Sequence, residues 1–156
     1  MNWQGLFLSA NGRIGQKDFW IGFAILFVAG IVLNLIPVIG MIAGILLIYP
    51  WVCVYSKRLH DMGKSGWLAA VPFGVFFVAT ILTVIAGGAA MFGAASGSTV
   101  GAGSAMAAVG MIGLVMMLAF LVWIGFTLWL GLTKGDPGTN SYGAPPVSMT
   151  GTTATV

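Results

Sequence analysis

The uneven distribution of charge along the chain constrains its fold more than any other feature. The 156 residues include only six Lys or Arg, three Asp or Glu and one His. Half of them lie between residues 57 and 67, and none lies in 19–56 or 68–133. The mean hydropathy is +1.04 and 6% of residues are charged, whereas soluble proteins have about 25%. These values exclude a soluble protein and predict an integral membrane protein.

Four apolar runs are each long enough to cross the roughly 30 Å hydrocarbon core as a helix. They cover approximately residues 19–36, 38–56, 67–92 and 105–133. The pattern predicts an all-α integral membrane four-helix bundle, with one domain over residues 19–133. An interfacial arm (1–18) precedes this domain. A tail (134–156) follows it, and the end of the tail has too little apolar surface to become ordered. The uncharged connection 93–104 is expected to be flexible.

The positions of the basic residues predict how the chain is oriented. They occur only in the arm, in the central polar stretch and in the tail: Arg13, Lys17, Lys57, Arg58, Lys64 and Lys134. With four spans, these three segments lie on one side of the bilayer, which the positive-inside rule assigns to the cytoplasm. Both termini are therefore predicted to be cytoplasmic.

Glycines and prolines mark candidate helix contacts and kinks. Gly40 and Gly44 have the spacing that lets two helix backbones approach closely. Packing against the first span and homodimerisation both remain open. Pro50 and Pro72 lie on either side of the polar stretch and are candidate kinks. Kinks at both positions would open a vestibule toward the cytoplasm.

Composition excludes several kinds of site and partner. Cys53 is the single cysteine, so it forms no internal disulfide, and the single histidine lacks further ligands at the spacing of a metal site. No metal or other cofactor is expected. The sequence pI is about 9.4, but basic residues spread along four spans make no patch for nucleic acid. The expected partners are the bilayer and its anionic phospholipid headgroups, with a protein partner or a homo-oligomer as further options.

Three short blocks of sequence carry a resemblance to a known family. They are GRIGQKDFW at 12–20, RLHDMGKSGW at 58–67 and KGDPGTNSYG at 134–143. Together they resemble the domain of unknown function 805 family, which consists of small bacterial inner-membrane proteins. Gln16 replaces a usual arginine of the family, and Tyr142 stands where phenylalanine is frequent. The resemblance implies a multi-pass protein of the bacterial inner (plasma) membrane, and it carries no established activity, cofactor or catalytic residue.

The same blocks contain a candidate polar cluster on the cytoplasmic side. Arg58 and Asp61 are three residues apart, which places them on the same side of a helix and lets them pair. The candidate members of the cluster are Arg13, Asp18, Arg58, His60, Asp61, Lys64 and Asn140. We expect them to form a hydrogen-bonded cap that closes the bundle. The alternative is a set of independent, solvated charges that only fix the topology.

Three classes of function are compatible with these features. The leading interpretation is a non-enzymatic membrane component whose cytoplasmic basic and aromatic surface binds anionic lipid or a protein partner. A small-solute transporter or channel with a cytoplasmic vestibule is the alternative, although no ionisable residue lies inside a span. An interfacial enzyme would use His60 beside Asp61 as a base, but no nucleophile motif accompanies this pair.

Overall fold

The described part of the chain is helical apart from residues 9–15, the turns between helices and the segment after residue 132. The computed structural model describes residues 3–95 and 99–146. A 3₁₀ turn over Gly66–Ala69 leads into the fourth of five α-helices. The helices are α1 (Trp3–Leu8), α2 (Gln16–Asn34), α3 (Pro37–Asp61), α4 (Ala70–Ala95) and α5 (Thr99–Leu132). Four helical stretches are long and apolar enough to cross a membrane, namely 16–34, 38–61, 66–93 and 106–132. The predicted class, an all-α integral membrane protein with four spans, is confirmed.

The connection between the last two spans differs from the expectation. Helix α4 continues to Ala95 and α5 begins at Thr99, so most of the predicted flexible stretch 93–104 is helical. Alanine is the best helix former, and a helix satisfies its own backbone groups near lipid. Residues 96–98 lie outside the described residues. The predicted disordered end of the tail, 147–156, also lies outside them.

The chain divides into two compact units. One contains the residues up to Ala69 and those from Trp129 onward, and the other contains residues 70–128. Most side chains of the second unit are apolar and exposed, as expected for helices that face lipid. The hydroxyls of Thr80 and Thr127 each donate to the carbonyl four residues earlier, at 2.8 Å. The polar side chains there largely bond to their own helix.

In the first unit, α2 packs against α3 through small and aromatic residues. A Cβ added at Gly22 would lie 3.4 Å from Val54, which shows how closely the two helices approach. One turn away, the rings of Phe19 and Tyr55 meet edge to face at 5.7 Å. This packing fixes the register of the two helices, so the first turn of α2 lies beside the last turns of α3.

The glycine and proline candidates have different surroundings. A Cβ at Gly40 would lie 2.8 Å from the Asn34 backbone, so the turn between α2 and α3 requires a glycine there. Gly44 has open space around it. Pro50 lies inside α3. Pro72 lies in the first turn of α4, a position near a helix start that tolerates proline without a break.

The charged end of α3 is the most deeply buried stretch of the described chain. All nine residues from 53 to 61 are buried. Five of them are polar or charged: Ser56, Lys57, Arg58, His60 and Asp61. A polar interior is therefore built at the end of an otherwise lipid-facing helix, and its hydrogen bonds define the candidate site.

Candidate functional site

Helix α3 ends in a glycine turn that determines where its last charged residues lie. Gly63 has φ +67°, a left-handed conformation that favours glycine. The Lys64 amide donates to the Leu59 carbonyl at 2.9 Å, and the Gly63 amide donates to the His60 carbonyl at 3.1 Å. This is the Schellman arrangement of a helix C-terminus. It stops the helix immediately after Asp61.

Asp61 binds two arginines from different parts of the chain. Arg13 donates to its Oδ1 from Nη2 at 3.1 Å and from Nε at 3.2 Å. Arg58 donates to its Oδ2 from Nη1. The side chains of both arginines are 1% exposed and that of Asp61 is 4% exposed. Buried charges persist only when they are paired and hydrogen-bonded, and here one carboxylate serves both guanidinium groups.

Arg58 also joins α3 to the end of α5 and to the N-terminal arm. Its Nε donates to the Leu130 carbonyl at 2.9 Å, and its Nη2 donates to the Thr133 carbonyl. Its Nη1 donates to the Ile14 carbonyl at 3.3 Å. The last carbonyls of a helix have no partner within the helix. Arg58 therefore satisfies backbone acceptors that would otherwise be orphaned in a buried place.

Arg13 holds the segment that follows α5, residues 134–146, which we name the strap. Its Nη1 donates to the carbonyls of Gly138 and Gly143 at 2.7 and 3.1 Å. Its Nη2 donates to the Asp136 carbonyl at 2.5 Å. The Asp136 amide in turn donates to the Asp61 carbonyl at 2.7 Å. The strap therefore lies across the end of α3.

His60 is bound on both ring nitrogens and on one face. Its Nδ1 lies 3.1 Å from the Gly12 carbonyl, which only accepts, so Nδ1 carries the proton. Its Nε2 lies 3.4 Å from the Ser56 hydroxyl. The Tyr142 ring stacks on the imidazole at 3.8 Å, and the Asn140 amide donates to the His60 carbonyl at 2.9 Å. This environment orients the ring and leaves little access to it.

The structure brings together five of the seven candidate residues of the predicted cluster. They are Arg13, Arg58, His60, Asp61 and Asn140, and we name this group the polar cap. Within the described residues, Asp18 has no hydrogen bond to the polar cap, although it is buried at 5% exposure in the first turn of α2. Lys64 is exposed, and its Nζ lies 5.7 Å from the centroid of the Trp129 ring.

Sequence reasoning did not single out several residues that complete this end of the molecule. Gln16 Nε2 lies within 3.2 Å of three consecutive carbonyls, those of residues 131–133. Lys57 donates to the carbonyls of Gly5 and Leu6, at the end of α1. Ser56 and Tyr142 contact His60. Gln16 and Tyr142 stand in the recognised blocks, but no spacing pattern signals a side chain that caps a distant helix.

Two glycines of the blocks are required by close approach. A Cβ at Gly66 would overlap Ser56 Oγ and lie 2.8 Å from His60 Nε2. A Cβ at Gly135 would overlap the Asp61 carboxylate. Both positions therefore bring backbone directly against the polar cap. The lack of space for a Cβ atom is enough to explain the glycine at both positions, and no catalytic role is needed.

Three of the six basic residues have exposed side chains. Lys17, Lys64 and Lys134 are exposed, and we name them the lysine rim. Their backbones are close to one another. Gln16, next to Lys17, binds the carbonyl of Thr133, next to Lys134, and Lys64 lies over Trp129 near the end of α5. Within the described residues, no group of three or more His, Cys, Asp or Glu is placed to hold a metal ion. The accessible chemistry of this end is cationic and aromatic.

Comparison with known proteins identifies the family. The family described as "Protein of unknown function (DUF805)" matches residues 7–144. The chain belongs to this family. The matched residues include every member of the polar cap, so the cap lies within the DUF805 region and not in an added segment.

Two curated relatives from Escherichia coli strain K12 support this placement. The chain is 37% identical over 73 residues to "Uncharacterized protein YiiR", covering 42% of this chain and 50% of the relative. It is 27% identical over 91 residues to "Inner membrane protein YhaH", covering 51% of this chain and 74% of the relative. The chain thus spans about half the length of the first of these relatives. No solved structure matches the chain.

Proposed function

We propose that this DUF805 protein is a non-enzymatic component of the inner membrane that binds anionic phospholipid headgroups at its cytoplasmic end through the lysine rim. One observation carries the proposal. The polar cap and its neighbours bind Arg13, Lys57 and Arg58 internally, whereas Lys17, Lys64 and Lys134 remain exposed. The sequence contains six basic residues that could bind lipid, and three of them have exposed side chains.

The backbone contacts support a single surface for the three lysines. Gln16, the residue before Lys17, binds the carbonyl of Thr133, the residue before Lys134. The Thr133 amide donates to the Trp129 carbonyl at 3.1 Å, and Trp129 carries Lys64 over its ring. The three lysines are therefore attached to backbone that lies at or next to the C-terminal end of α5.

Two exposed tryptophans support a position of this surface at headgroup depth. Trp67 is 86% exposed and Trp129 is 38% exposed. Tryptophan is enriched where the bilayer meets water, because its ring is amphipathic. Each lysine near an anionic leaflet contributes about 1 kcal/mol. Three lysines contribute at most about 3 kcal/mol, from which the exposed Asp136 and the Asp18 carboxyl beside Lys17 subtract part.

We also propose that both termini are cytoplasmic, which places the lysine rim at the more anionic leaflet. All six Lys and Arg residues lie at or near the end of the first unit that holds the polar cap. The positive-inside rule assigns such an end to the cytoplasm. The relative named "Inner membrane protein YhaH" supports the inner membrane as the location of this chain.

A structural role for His60 supports the non-enzymatic part of the proposal. A catalytic base needs a ring nitrogen within reach of a substrate proton. Both ring nitrogens of His60 have protein partners, and Tyr142 covers one face of the ring. The adjacent carboxylate of Asp61 binds the two arginines and not the imidazole.

The test is lipid retention by purified protein, measured by native mass spectrometry from mixed micelles containing phosphatidylglycerol and phosphatidylethanolamine. The triple variant Lys17→Gln, Lys64→Gln, Lys134→Gln is expected to lose the preference for phosphatidylglycerol. The matched triple Lys→Arg variant keeps the three charges and should retain it. Wild-type preference should also weaken as salt is raised, since exposed charges are screened. Equal phosphatidylglycerol retention by the wild type and the triple Gln variant would refute the proposal.

A further inference from the structure

We infer that the strap is a latch closed around the Arg13 guanidinium, and that the closed latch positions Lys134 for headgroup binding. This inference rests on the proposed function and adds to it a positioning residue and a moving element. Arg13 itself is buried, so it acts on lipid only through the strap.

The geometry of the Arg13 contacts defines the latch. Carbonyls of Asp136, Gly138 and Gly143, spread over eight residues of the strap, converge on one guanidinium. The Asp61 carboxylate anchors the opposite side of the same group through Nε and Nη2. The planar fork of arginine presents five donors at fixed angles. One side chain therefore joins the strap to the end of α3.

The strap has internal hydrogen bonds, including the Tyr142 amide to Asn140 Oδ1 at 2.9 Å and Asn140 Nδ2 to Asp136 Oδ2 at 3.4 Å, but these do not attach it to another element. Its regular element is a turn in which the backbones of Asn140 and Gly143 exchange hydrogen bonds of 3.1 and 3.0 Å. Gly143 adopts φ +123° in that turn, and its carbonyl accepts a hydrogen bond from Arg13. The remaining contacts of the strap with α3 are the Asp136 amide on Asp61, the Asn140 amide on His60 and the Tyr142 ring on His60.

Lys134 lies between two fixed points of the backbone. On one side, the Thr133 carbonyl accepts from Arg58 and Gln16. On the other side, the Asp136 amide donates to the Asp61 carbonyl and the Asp136 carbonyl accepts from Arg13. Opening the latch would remove the contacts of Asp136, so the Lys134 backbone would be fixed only through Thr133.

The other two lysines of the rim provide an internal control. Lys17 belongs to α2 and Lys64 belongs to the glycine turn after α3. These two backbones are positioned by α2 and by the hydrogen bonds of the α3 C-terminus. Opening the latch should therefore change the contribution of Lys134 alone, and the loss of lipid retention should equal that of Lys134→Gln.

The first arm of the experiment measures the latch by hydrogen exchange of strap amides in Arg13→Ala and Arg13→Lys. Lysine keeps the charge but lacks the fork, so both variants should exchange about tenfold faster at residues 136–143 than the wild type. Millimolar guanidinium should restore protection in Arg13→Ala, whereas methylammonium at the same concentration should not. Wild-type exchange in Arg13→Lys, or failure of guanidinium to restore protection, would overturn the latch.

The second arm measures phosphatidylglycerol retention. Arg13→Lys should fall to the level of Lys134→Gln, and the double variant should show no further loss. Additive losses in the double variant would overturn the coupling between the latch and Lys134. If the wild type shows no preference for phosphatidylglycerol but guanidinium still restores strap protection, the proposed function fails while the latch stands.

Discussion

At the scale of single residues, Asp61 determines whether two buried arginines are tolerated. It gives one carboxylate oxygen to Arg13 and the other to Arg58, all three side chains being almost fully excluded from solvent. Removing one partner of a buried ion pair costs far more than the pair itself contributes, because the remaining charge stays desolvated. Two charges depend on this carboxylate.

Asp61→Asn should therefore be strongly destabilising. The substitution keeps size and shape but removes the charge that both guanidinium groups require. We expect the free energy of unfolding in detergent to fall by about 3–5 kcal/mol, seen as a lower Tm. Asp136→Asn is the matched control, since that side chain is exposed. Equal melting of Asp61→Asn and the wild type would contradict the role assigned to this carboxylate.

Gly135→Ala and Gly138→Ala form a second matched pair at this scale. A Cβ at 135 would overlap the Asp61 carboxylate, whereas a Cβ at 138 meets nothing within 4 Å. We expect Gly135→Ala to lower Tm by displacing the strap and Gly138→Ala to change it little. Thermal denaturation of both variants in one detergent provides the measurement. Equal effects of the two substitutions would argue against close packing at 135.

At this scale the sequence predicted the Arg58–Asp61 pair and a cluster that includes Arg13, His60 and Asn140, but it did not predict the backbone acceptors of these side chains. The spacing of Arg58 and Asp61 indicates that they share a helix side. No spacing indicates that Arg13 binds carbonyls more than 120 residues away, because backbone acceptors are the same in every residue. For the same reason the sequence did not separate the buried Lys57 from the exposed Lys64.

At the scale of elements, the helix ends of the first unit are capped by other elements. Lys57 of α3 binds the last carbonyls of α1, and Gln16 of α2 binds those of α5. A side chain that caps a neighbouring helix satisfies orphan carbonyls and joins the two elements at once. The helices of this unit are thus connected at their ends by directional bonds as well as by apolar contact along their lengths.

Gln16→Ala tests this capping. Three carbonyls at the end of α5 lose their shared donor, so the last turn should fray and stability should fall by about 1 kcal/mol. Hydrogen exchange at residues 129–133 together with Tm provides the measurement. Gln4→Ala, at an exposed position of α1, is the control. Gln16→Arg should preserve protection, because a guanidinium offers more donors. Unchanged exchange in Gln16→Ala would contradict the capping role.

Most elements were predicted from the sequence because apolar length identifies spans. The glycine and the basic last turn at the end of α3 are the sequence features that mark a helix C-terminus. The stretch 93–104 was predicted to be a flexible connection because it is rich in small residues, as flexible linkers are. Helices α4 and α5 instead extend over most of it. Helix α2 begins at Gln16, three residues before the apolar run.

At the scale of the whole molecule, the charged residues are concentrated in the first unit, around the polar cap. The chain leaves that end at Ala69 and returns to it at Trp129. Arg13 near the N-terminus binds residue 143 near the end of the described chain. Segments that share hydrogen bonds lie on the same side of a membrane, so this contact supports the proposal that both termini lie on one side.

Cysteine accessibility in cells tests this topology. In a Cys53→Ala background, cysteines at residues 64 and 141 should react only with reagents that reach the cytoplasm. A cysteine at residue 97 should react from the opposite compartment. The physical reason is the retention of basic segments on the cytoplasmic side. Labelling of residues 64 and 97 from the same compartment would contradict a four-span chain.

The contact between Arg13 and the strap also bears on biosynthesis. Arg13 and Arg58 leave the ribosome long before residues 130–143, which supply most of their backbone acceptors. A nascent chain therefore carries two underbonded guanidinium groups until residues 130–143 have been synthesised. A product that terminates before the strap lacks the carbonyls of Asp136, Gly138 and Gly143, so Arg13 keeps only its contacts with Asp61.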